Sequence, residues 1–285
     1  MTSITHIPST DLHDRATRDA VALRSLHHDA DVLVLPNAWD AMSAAIIEAR
    51  GARAIATTSG GVSWGLGAPD GGLAREEAIA AAARIVRAVR VPVSFDAESG
   101  FGEDPEAVAA AVRGLVDVGV AGVNLEDSFL PGRRIAGLDV QAARLAAARA
   151  SAPDLVINAR TDLYLGRSEE GREDVDPLDE AIRRAGAYAA AGADCVFVPG
   201  LTDLTAIRTL VDAISVPLNI MSGPGGPTIG ELAEVGVRRV SVGTAIAQAA
   251  YAVADRAAAE LLGSGTGASF SDGLAYGHLN DLGRR

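Results

Sequence analysis

Eight short apolar runs rich in Val, Ile and Leu alternate with Ala-rich amphipathic stretches along almost the whole of this chain. The runs fall near residues 32–35, 53–58, 91–96, 121–126, 154–160, 193–198, 216–220 and 238–242. Their length and β-branched content read as strands. The stretches 76–89, 105–118 and 178–191 instead carry apolar residues at helical spacing among Ala, Arg and Glu. The punctuation has a period of two. Gly51, Gly119, Gly192 and Gly236 close helices just before the even-numbered runs, and glycine at that position takes the left-handed conformation cheaply. The odd runs are entered through Val91-Pro92, Ala152-Pro153 and Val216-Pro217, where proline at a strand's first residue loses no ladder bond. Eight such units predict a closed parallel (β/α)8 barrel, the TIM barrel, rather than an open sheet.

A chain of 285 residues can be one such barrel. We therefore expect a single domain over 1–285, with a core over about 30–262 and peripheral polar ends at 1–20 and 264–285. The net charge is −12, from 25 basic against 37 acidic residues, with no basic patch, so nucleic acid is not an expected partner. Residues 1–20 lack the apolar stretch of a secretion signal, and no apolar run reaches the ~18 residues of a membrane span. With one cysteine, Cys195, this predicts a cytoplasmic protein without disulfides or membrane contact. All 25 basic residues are arginine. Schiff-base catalysis and a P-loop lysine are thereby excluded.

In barrels of this kind the C-terminal strand ends carry the chemistry. The third run ends in Val93-Ser94-Phe95-Asp96-Ala97-Glu98-Ser99-Gly100-Phe101-Gly102, an apolar strand stopping at two carboxylates spaced i, i+2. Residues two apart on a strand project to one side, so Asp96 and Glu98 are expected to leave it together. Adjacent carboxylates raise each other's pKa unless a cation lies between them, and hard oxygen ligands suit Mg²⁺ or Mn²⁺. The fourth run supplies Asn124, Glu126 and Asp127, and the fifth ends in Asn158-Ala159-Arg160-Thr161-Asp162. Trp39 and Asp40 follow the first run, Ser59, Gly60 and Gly61 the second, Asn219 the seventh, and Ser241 and Gly243 the eighth. Converging acids, an arginine and a glycine turn predict a site for a cation and a carboxylate.

The same segments resemble the isocitrate lyase / phosphoenolpyruvate mutase superfamily. The matching strings are Trp39-Asp40-Ala41-Met42-Ser43-Ala44, Thr58-Ser59-Gly60-Gly61 with Pro69-Asp70-Gly71, the Asp96 and Glu98 segment, Val123-Asn124-Leu125-Glu126-Asp127 and Asn158-Ala159-Arg160-Thr161-Asp162. Ala191-Gly192-Ala193-Asp194 and Leu218-Asn219-Ile220-Met221 follow in order, so the resemblance covers roughly 30–250. It implies a Mg²⁺-dependent barrel acting on 2-oxo acids or enolpyruvyl compounds, with a C-terminal helix exchanged between subunits of a dimer or tetramer. It further implies that Asp96 is the direct metal ligand, with Asp70, Glu98 and Glu126 holding the metal's waters. Ser59, Gly60 and Gly61 would hold the substrate carboxylate with Trp39 and Asn219 nearby. Arg160 would face the oxo or enolate oxygen, with Glu126 and Asn124 beside it as further catalytic groups. These roles are physically coherent, because Mg²⁺ dehydrates reluctantly and backbone N–H groups in a glycine turn form an anion nest.

Two features depart from the family pattern. The usual Asp-x-Asp is Asp-x-Glu here. The segment 128–137 also lacks the Lys-Lys-Cys-Gly of the carbon–carbon lyases, whose cysteine acts as acid/base, so isocitrate lyase activity is not expected. Three functions stay open. The first is a Mg²⁺ enzyme working through a 2-oxo acid enolate, as lyase, decarboxylase or carbon–carbon hydrolase of an oxaloacetate-like substrate. The second is a phosphonate P–C bond enzyme using Arg133 and Arg134, and the third is a non-catalytic 2-oxo acid binder. Cys195, inside the sixth run, reads as a buried structural thiol, and the five histidines lie off the strands.

Overall fold

The computed structural model describes residues 9–129 and 134–284. Nine parallel strands form one sheet: β1 Leu33–Leu35, β2 Asn37–Ala38, β3 Ile55–Thr57, β4 Val93–Asp96, β5 Gly122–Glu126, β6 Val156–Arg160, β7 Cys195–Phe197, β8 Leu218–Met221 and β9 Arg239–Ser241. Helices α1 Ser9–Leu26, α2 Ala41–Ala49, α3 Ser59–Gly65, α4 Arg75–Ala88, α5 Pro105–Asp117 and α6 Leu138–Ser151 lie between or before them. Then come α7 Pro177–Ala190, α8 Leu204–Ala213, α9 Ile229–Glu234, α10 Ala245–Gly263 and α11 Tyr276–Leu282. The count of nine against the expected eight has one cause. Pro36, which has no N–H to give the ladder, splits the first strand. Its lower half β1 pairs with β9, its upper half β2 pairs with β3, and the barrel closes through that break.

Alternation along the strands sorts side chains into two compartments. Val93, Phe95, Val123, Leu125, Ile157, Ala159, Val196, Ile220 and Val240 face the surrounding helices in one apolar cluster. Ser94, Asp96, Asn124, Asn158, Arg160, Asn219, Arg239 and Ser241 line a cavity inside the barrel. The predicted helix-closing glycines, Gly51, Gly119, Gly192 and Gly236, all have φ between 93° and 103°.

The expectation that residues up to 20 are peripheral does not hold from Ser9 onward. Helix α1 lies under the N-terminal end of the barrel, and Ala20, Leu23 and Leu26 form a second apolar cluster with Leu33, Leu35, Ala54, Ala56, Ala121 and Val156. Ala16, Ala20 and Leu23 recur at helical spacing, a stripe diluted by Arg and Asp in the sequence. The fit is close: a Cβ on Gly122 would lie 2.8 Å from Leu23 Cδ2 and 3.0 Å from the Val156 carbonyl oxygen. At the other end, α10 packs its first turns on α3, with Tyr251 edge-on to Trp64 at 6.2 Å, while Leu261 and Leu262 stand exposed. No helix among the described residues is long and apolar enough to cross a membrane.

His27, just after α1, is 2% exposed, and its Nδ1 lies 2.7 Å from the Leu23 carbonyl oxygen. Burial, and then the charge of Arg239, pull its pKa down to about 3. The folded protein thus refuses a proton that the unfolded chain accepts below its ordinary value of 6.5. The stability from keeping His27 neutral is complete above that value and is lost as pH falls toward 3. His27→Gln should therefore flatten the acid limb. Between pH 6.5 and 5, parent minus variant unfolding free energy in urea titrations should fall by about 2 kcal/mol. Parallel pH profiles would show that His27 titrates normally in the fold.

Candidate active site

Asp96 closes β4 and is held by neutral donors. Its Oδ2 accepts from the Ser59 backbone N–H at 3.1 Å, and its Oδ1 accepts from Asn124 Nδ2 at 2.9 Å. Its own N–H donates to Thr57 Oγ1 at 2.8 Å, and Asn158 Nδ2 in turn holds Asn124 Oδ1 at 3.1 Å. Ser59 opens α3, so the carboxylate faces the electropositive start of that helix. Two glycines follow because nothing larger fits. A Cβ on Gly61 would sit 2.7 Å from Trp39 Cβ and 2.8 Å from Thr58 Cγ2, and one on Gly60 would meet Thr244 Cγ2 at 3.0 Å and Asp70 Cγ at 3.3 Å.

The cavity above this group is about 170 Å³. Ser59, Asp70, Asp96, Asn124, Arg160 and Asn219 are on its wall, as the sequence predicts. Gly60 and Gly61, expected beside Ser59 as substrate-binding residues, are not on that wall, and neither is Trp39. It packs on Gly61 and joins the outer apolar cluster, because its backbone turns away with the start of α2. Glu98 also differs from expectation. It lies beyond the last residue of β4 with φ 51°, and Phe101 follows with φ 58°, so the two-residue alternation ends at Asp96. Left-handed backbone costs an L residue roughly 1–2 kcal/mol. Glu98 consequently lines a neighbouring cavity of about 290 Å³, together with Glu126, Arg75, Phe101, Glu103 and Phe129.

Arg160 stands between the two cavities. Its Nη1 reaches Glu126 Oε2 at 3.0 Å and its Nε donates to Asp162 Oδ1 at 2.5 Å, while Arg167 Nη1 covers Asp162 Oδ2 at 2.7 Å. Ser128 Oγ lies 2.8 Å from both Glu126 Oε1 and Asp162 Oδ2. A hydroxyl has one proton to give, so both contacts are made only when one carboxyl is itself protonated. Burial agrees, pushing Glu126 up to about 7 against the opposing pull of Arg160. Glu98 is pushed up to about 8, first by burial and then by Asp96, Asp70 and Glu126. Beneath them the fully buried Asp127 accepts from Tyr188 OH at 2.7 Å and pairs with Arg184 at 3.2 Å. Arg184 also donates to the Ala136 carbonyl and to Glu180, tying α7 to the rim. Arg184, Tyr188 and Arg239 were not legible as site residues, although each arginine interrupts an otherwise apolar stripe.

No group of three or more His, Cys, Asp or Glu side chains among the described residues converges as a ready metal-ligand cluster. The donor set nevertheless fits Mg²⁺ or Mn²⁺ held by one carboxylate and several waters. Asp96 would be the ligand, with Asp70 across the same cavity, and Glu98 and Glu126 set behind. Beyond burial, which is the larger cause, Asp96, Asp70 and Glu126 add to the upward push on Glu98 a like-charge repulsion that such an ion would relieve.

A family model described as phosphoenolpyruvate phosphomutase matches residues 23–262. This chain belongs to the isocitrate lyase / phosphoenolpyruvate mutase superfamily. It is 38% identical over 243 residues to an uncharacterised protein of Mycobacterium tuberculosis, covering 82% of this chain and 90% of that one. It is 34% identical over 203 residues to 2-methylisocitrate lyase of Bacillus subtilis, covering 68% of this chain but only 64% of that enzyme's length. Among solved structures, oxaloacetate acetylhydrolase in complex with oxalate superposes with a TM-score of 0.82 at 26% identity, covering 93% of this chain and 94% of that one. The chain is thus a lyase-like member of the superfamily with its barrel. The segment after β5, where the resemblance would place a Lys-Lys-Cys-Gly string, is described only at its ends. Residues 130–133, including Arg133, lie outside the described residues. Arg134 pairs with Glu170 in an exposed position, and Arg144 stacks 4.7 Å from the Phe129 ring centre.

Asp96→Ala should remove one charge from a repelling group and leave the fold intact by circular dichroism, while abolishing Mg²⁺ binding measured by calorimetry. Parent-like Mg²⁺ affinity in that variant would take Asp96 out of the metal site.

Proposed function

We propose that this protein is a Mg²⁺-dependent enzyme, with Mn²⁺ also accepted, that acts on a small 2-oxo carboxylic acid by stabilising its enolate. The observation that carries this reading is Asp96, fixed by neutral donors on a cavity that the half-buried cation Arg160, two strands along the barrel, also lines. A chelated 2-oxo acid would receive from Mg²⁺ positive charge at its keto and carboxylate oxygens. Every other contribution is the chain's own. The first-turn N–H groups of α3 at Gly60 and Gly61 supply an anion-binding end for the substrate carboxylate. Arg160, locked by Glu126 and Asp162, presents its remaining N–H donors to charge developing on the keto oxygen. Asn124 and Asn158 hold Asp96 without adding charge.

The group that would protonate an enolate carbon in isocitrate cleavage has no counterpart here. The chain has no lysine, and Cys195, 0% exposed, has its thiol pushed up to about 12 by burial. Reactions whose carbanion takes its proton from water or from a raised carboxyl such as Glu98 or Glu126 suit this wall better: decarboxylation of an oxaloacetate-like acid, or its carbon–carbon hydrolysis with water as the nucleophile. Oxaloacetate acetylhydrolase is a structural relative that supports the choice. A phosphonate reading would need further cations for the phosphoryl group, and Arg134 is engaged with Glu170. A homo-oligomer, dimer or tetramer, is part of the same proposal. Exposed Ile246, Val253, Leu261 and Leu262 along α10 are what an exchanged helix would cover.

The test is turnover of pyruvate, oxaloacetate, branched malates, phosphonopyruvate and isocitrate, each with Mg²⁺ and with chelator. Carbon–carbon chemistry on an oxaloacetate-like acid is expected only with the metal, with negligible glyoxylate from isocitrate. Arg160→Ala should lose on the order of 10²–10³ in kcat, the cost of one oxyanion donor. Robust glyoxylate release, or turnover of phosphonopyruvate alone, would replace this reading. Binding without turnover across the panel would make the protein a 2-oxo acid binder. Sedimentation velocity at micromolar concentration checks the assembly, and a clean monomer would refute it.

A further inference from the structure

Three arginines are 2% exposed or less, and two of them spend most of their donors on carboxylates, carbonyls or an amide oxygen. Arg184 pairs with Asp127, Glu169 and Glu180. Arg144 donates to the Ser99 and Gly102 carbonyls and to Gln141, fastening the loop after β4, with its Nε left over outside the barrel cavity. Arg239, at the start of β9, has neither kind of partner. Its Nη2 donates to Ser94 Oγ at 3.2 Å, its Nη1 faces His27 Nε2 at 3.4 Å, and its Nε has no partner. A guanidinium carries five N–H donors, so part of this buried cation's bonding capacity, the Nε–H above all, is unmet by the protein. Burial of that kind is expensive unless an anion answers it.

The groups packed around Arg239 do not supply one. Ser94 and His27 are neutral, His27 firmly so with its pKa near 3. Cys195 is held as a thiol by burial. Asp96 acts on Arg239 through space, but its carboxylate is bonded to Ser59 and Asn124. Position then matters. Ser94 precedes Asp96 by two residues on β4, on the same inward face, so it lies about 6–7 Å deeper along the barrel axis. Arg239, bonded to Ser94, lines the same cavity as Asp96 and Arg160. It is the deep end of that cavity, closed from below by His27 and α1. Arg160, the other cation on the wall, already serves two carboxylates.

We propose that Arg239 forms an anion subsite at the floor of the cavity and makes the site selective for 2-oxo acids bearing a second carboxylate. This inference rests on the 2-oxo acid reading of the same site and adds to it the residue that selects among such acids. A volume of about 170 Å³ admits a small dicarboxylate whole. One end of the ligand would lie beside Asp96, where that residue would hold the metal, and near the Ser59 N–H, and the other would descend toward Arg239. A ligand with a single carboxylate leaves the deep cation unanswered, and that difference is the discrimination.

Calorimetric binding with Mg²⁺ present, using pyruvate against the stable dicarboxylates ketomalonate and 2-oxoglutarate, tests this directly. The parent should bind at least one dicarboxylate about tenfold or more tighter than pyruvate, and Arg239→Met should lose that preference while keeping pyruvate affinity within about twofold. Arg239→Lys, which retains the charge, should keep part of it. A parent that binds pyruvate as tightly as both dicarboxylates overturns the inference and leaves the 2-oxo acid reading standing. Equal loss for all three ligands in Arg239→Met also overturns it, because Arg239 would then be only a counter-charge to Asp96. Should Arg239→Met fail to fold, the parent's preference and its retention in Arg239→Lys decide. A parent that binds none of the three removes both readings together.

Discussion

Carboxylate crowding at the C-terminal mouth of the barrel is the constraint to which the surrounding structure answers. Asp70, Asp96, Glu98, Glu126, Asp127 and Asp162 all arrive there from the ends of neighbouring strands and their loops. The chain neutralises only half of them. Arg160 and Arg167 serve Glu126 and Asp162, and Arg184 serves Asp127, each at ion-pair distance. Arginine's rigid fork lets one cation hold two carboxylates at once, which an ammonium does less well, and this chain has only arginine to use. Asp70, Asp96 and Glu98 form no ion pair among the described residues, and Asp96 is fixed by amide donors instead. Negative charge is thus concentrated on the substrate side and relieved on the structural side. That asymmetry calls for an external cation at Asp96 and not at Glu126.

The interior of the barrel follows from the same division. A row of neutral amides and hydroxyls, Asn124, Asn158, Asn219 and Ser241, fills the layer around Asp96 and adds no charge of its own. The Asn158 Oδ1 and Arg239 Nε atoms are both without partners, so polar capacity is kept open toward the cavity and not spent within the wall. Below, α1 seals the barrel with an apolar plug and a neutral histidine. A cation at the floor, Arg239, and carboxylates at the mouth set a field along the barrel axis.

Much of this was legible because the fold leaves a periodic record. Buried parallel strands are short apolar runs, and helix ends need glycine in left-handed backbone, so both marks survive in one sequence. The strand ends followed, with Asp96, Asn124, Arg160 and Asn219 on one cavity. The failures are equally physical. Pro36 split a strand that looked continuous, since hydropathy does not register a lost N–H. Glu98 left its expected face because the strand's alternation ends at Asp96, and a positive φ at a glutamate has no sequence signature. The α1 stripe of Ala16, Ala20 and Leu23 was diluted by charged neighbours, and Arg184 and Arg239 owe their roles to residues 57 and 145 positions away. Such long-range pairings are set by closure of the barrel and by nothing local.

The segment after β5 bounds the reactions open to the proposed site. Its described ends are built into the wall: Ser128 bridges to Ile135, Arg134 to Ser168, and Ile135 and Ala136 are buried. Ser128 lies within hydrogen-bond reach of both Glu126 and Asp162, where a reactive loop residue would otherwise approach the substrate. These described ends bring no thiol or ammonium toward the cavity, so a carbanion formed there meets carboxyls, hydroxyls and an arginine. Of these only a protonated carboxyl is an acid of useful strength near neutral pH. The wall is therefore better matched to reactions in which the leaving group departs with its own charge than to those that need a strong external proton donor. The departure from the family pattern at this loop and the retention of Asp96 and Arg160 are two sides of one change. In the proposed reaction Asp96 and Arg160 serve charge stabilisation, and a proton comes from water or from a raised carboxyl such as Glu98.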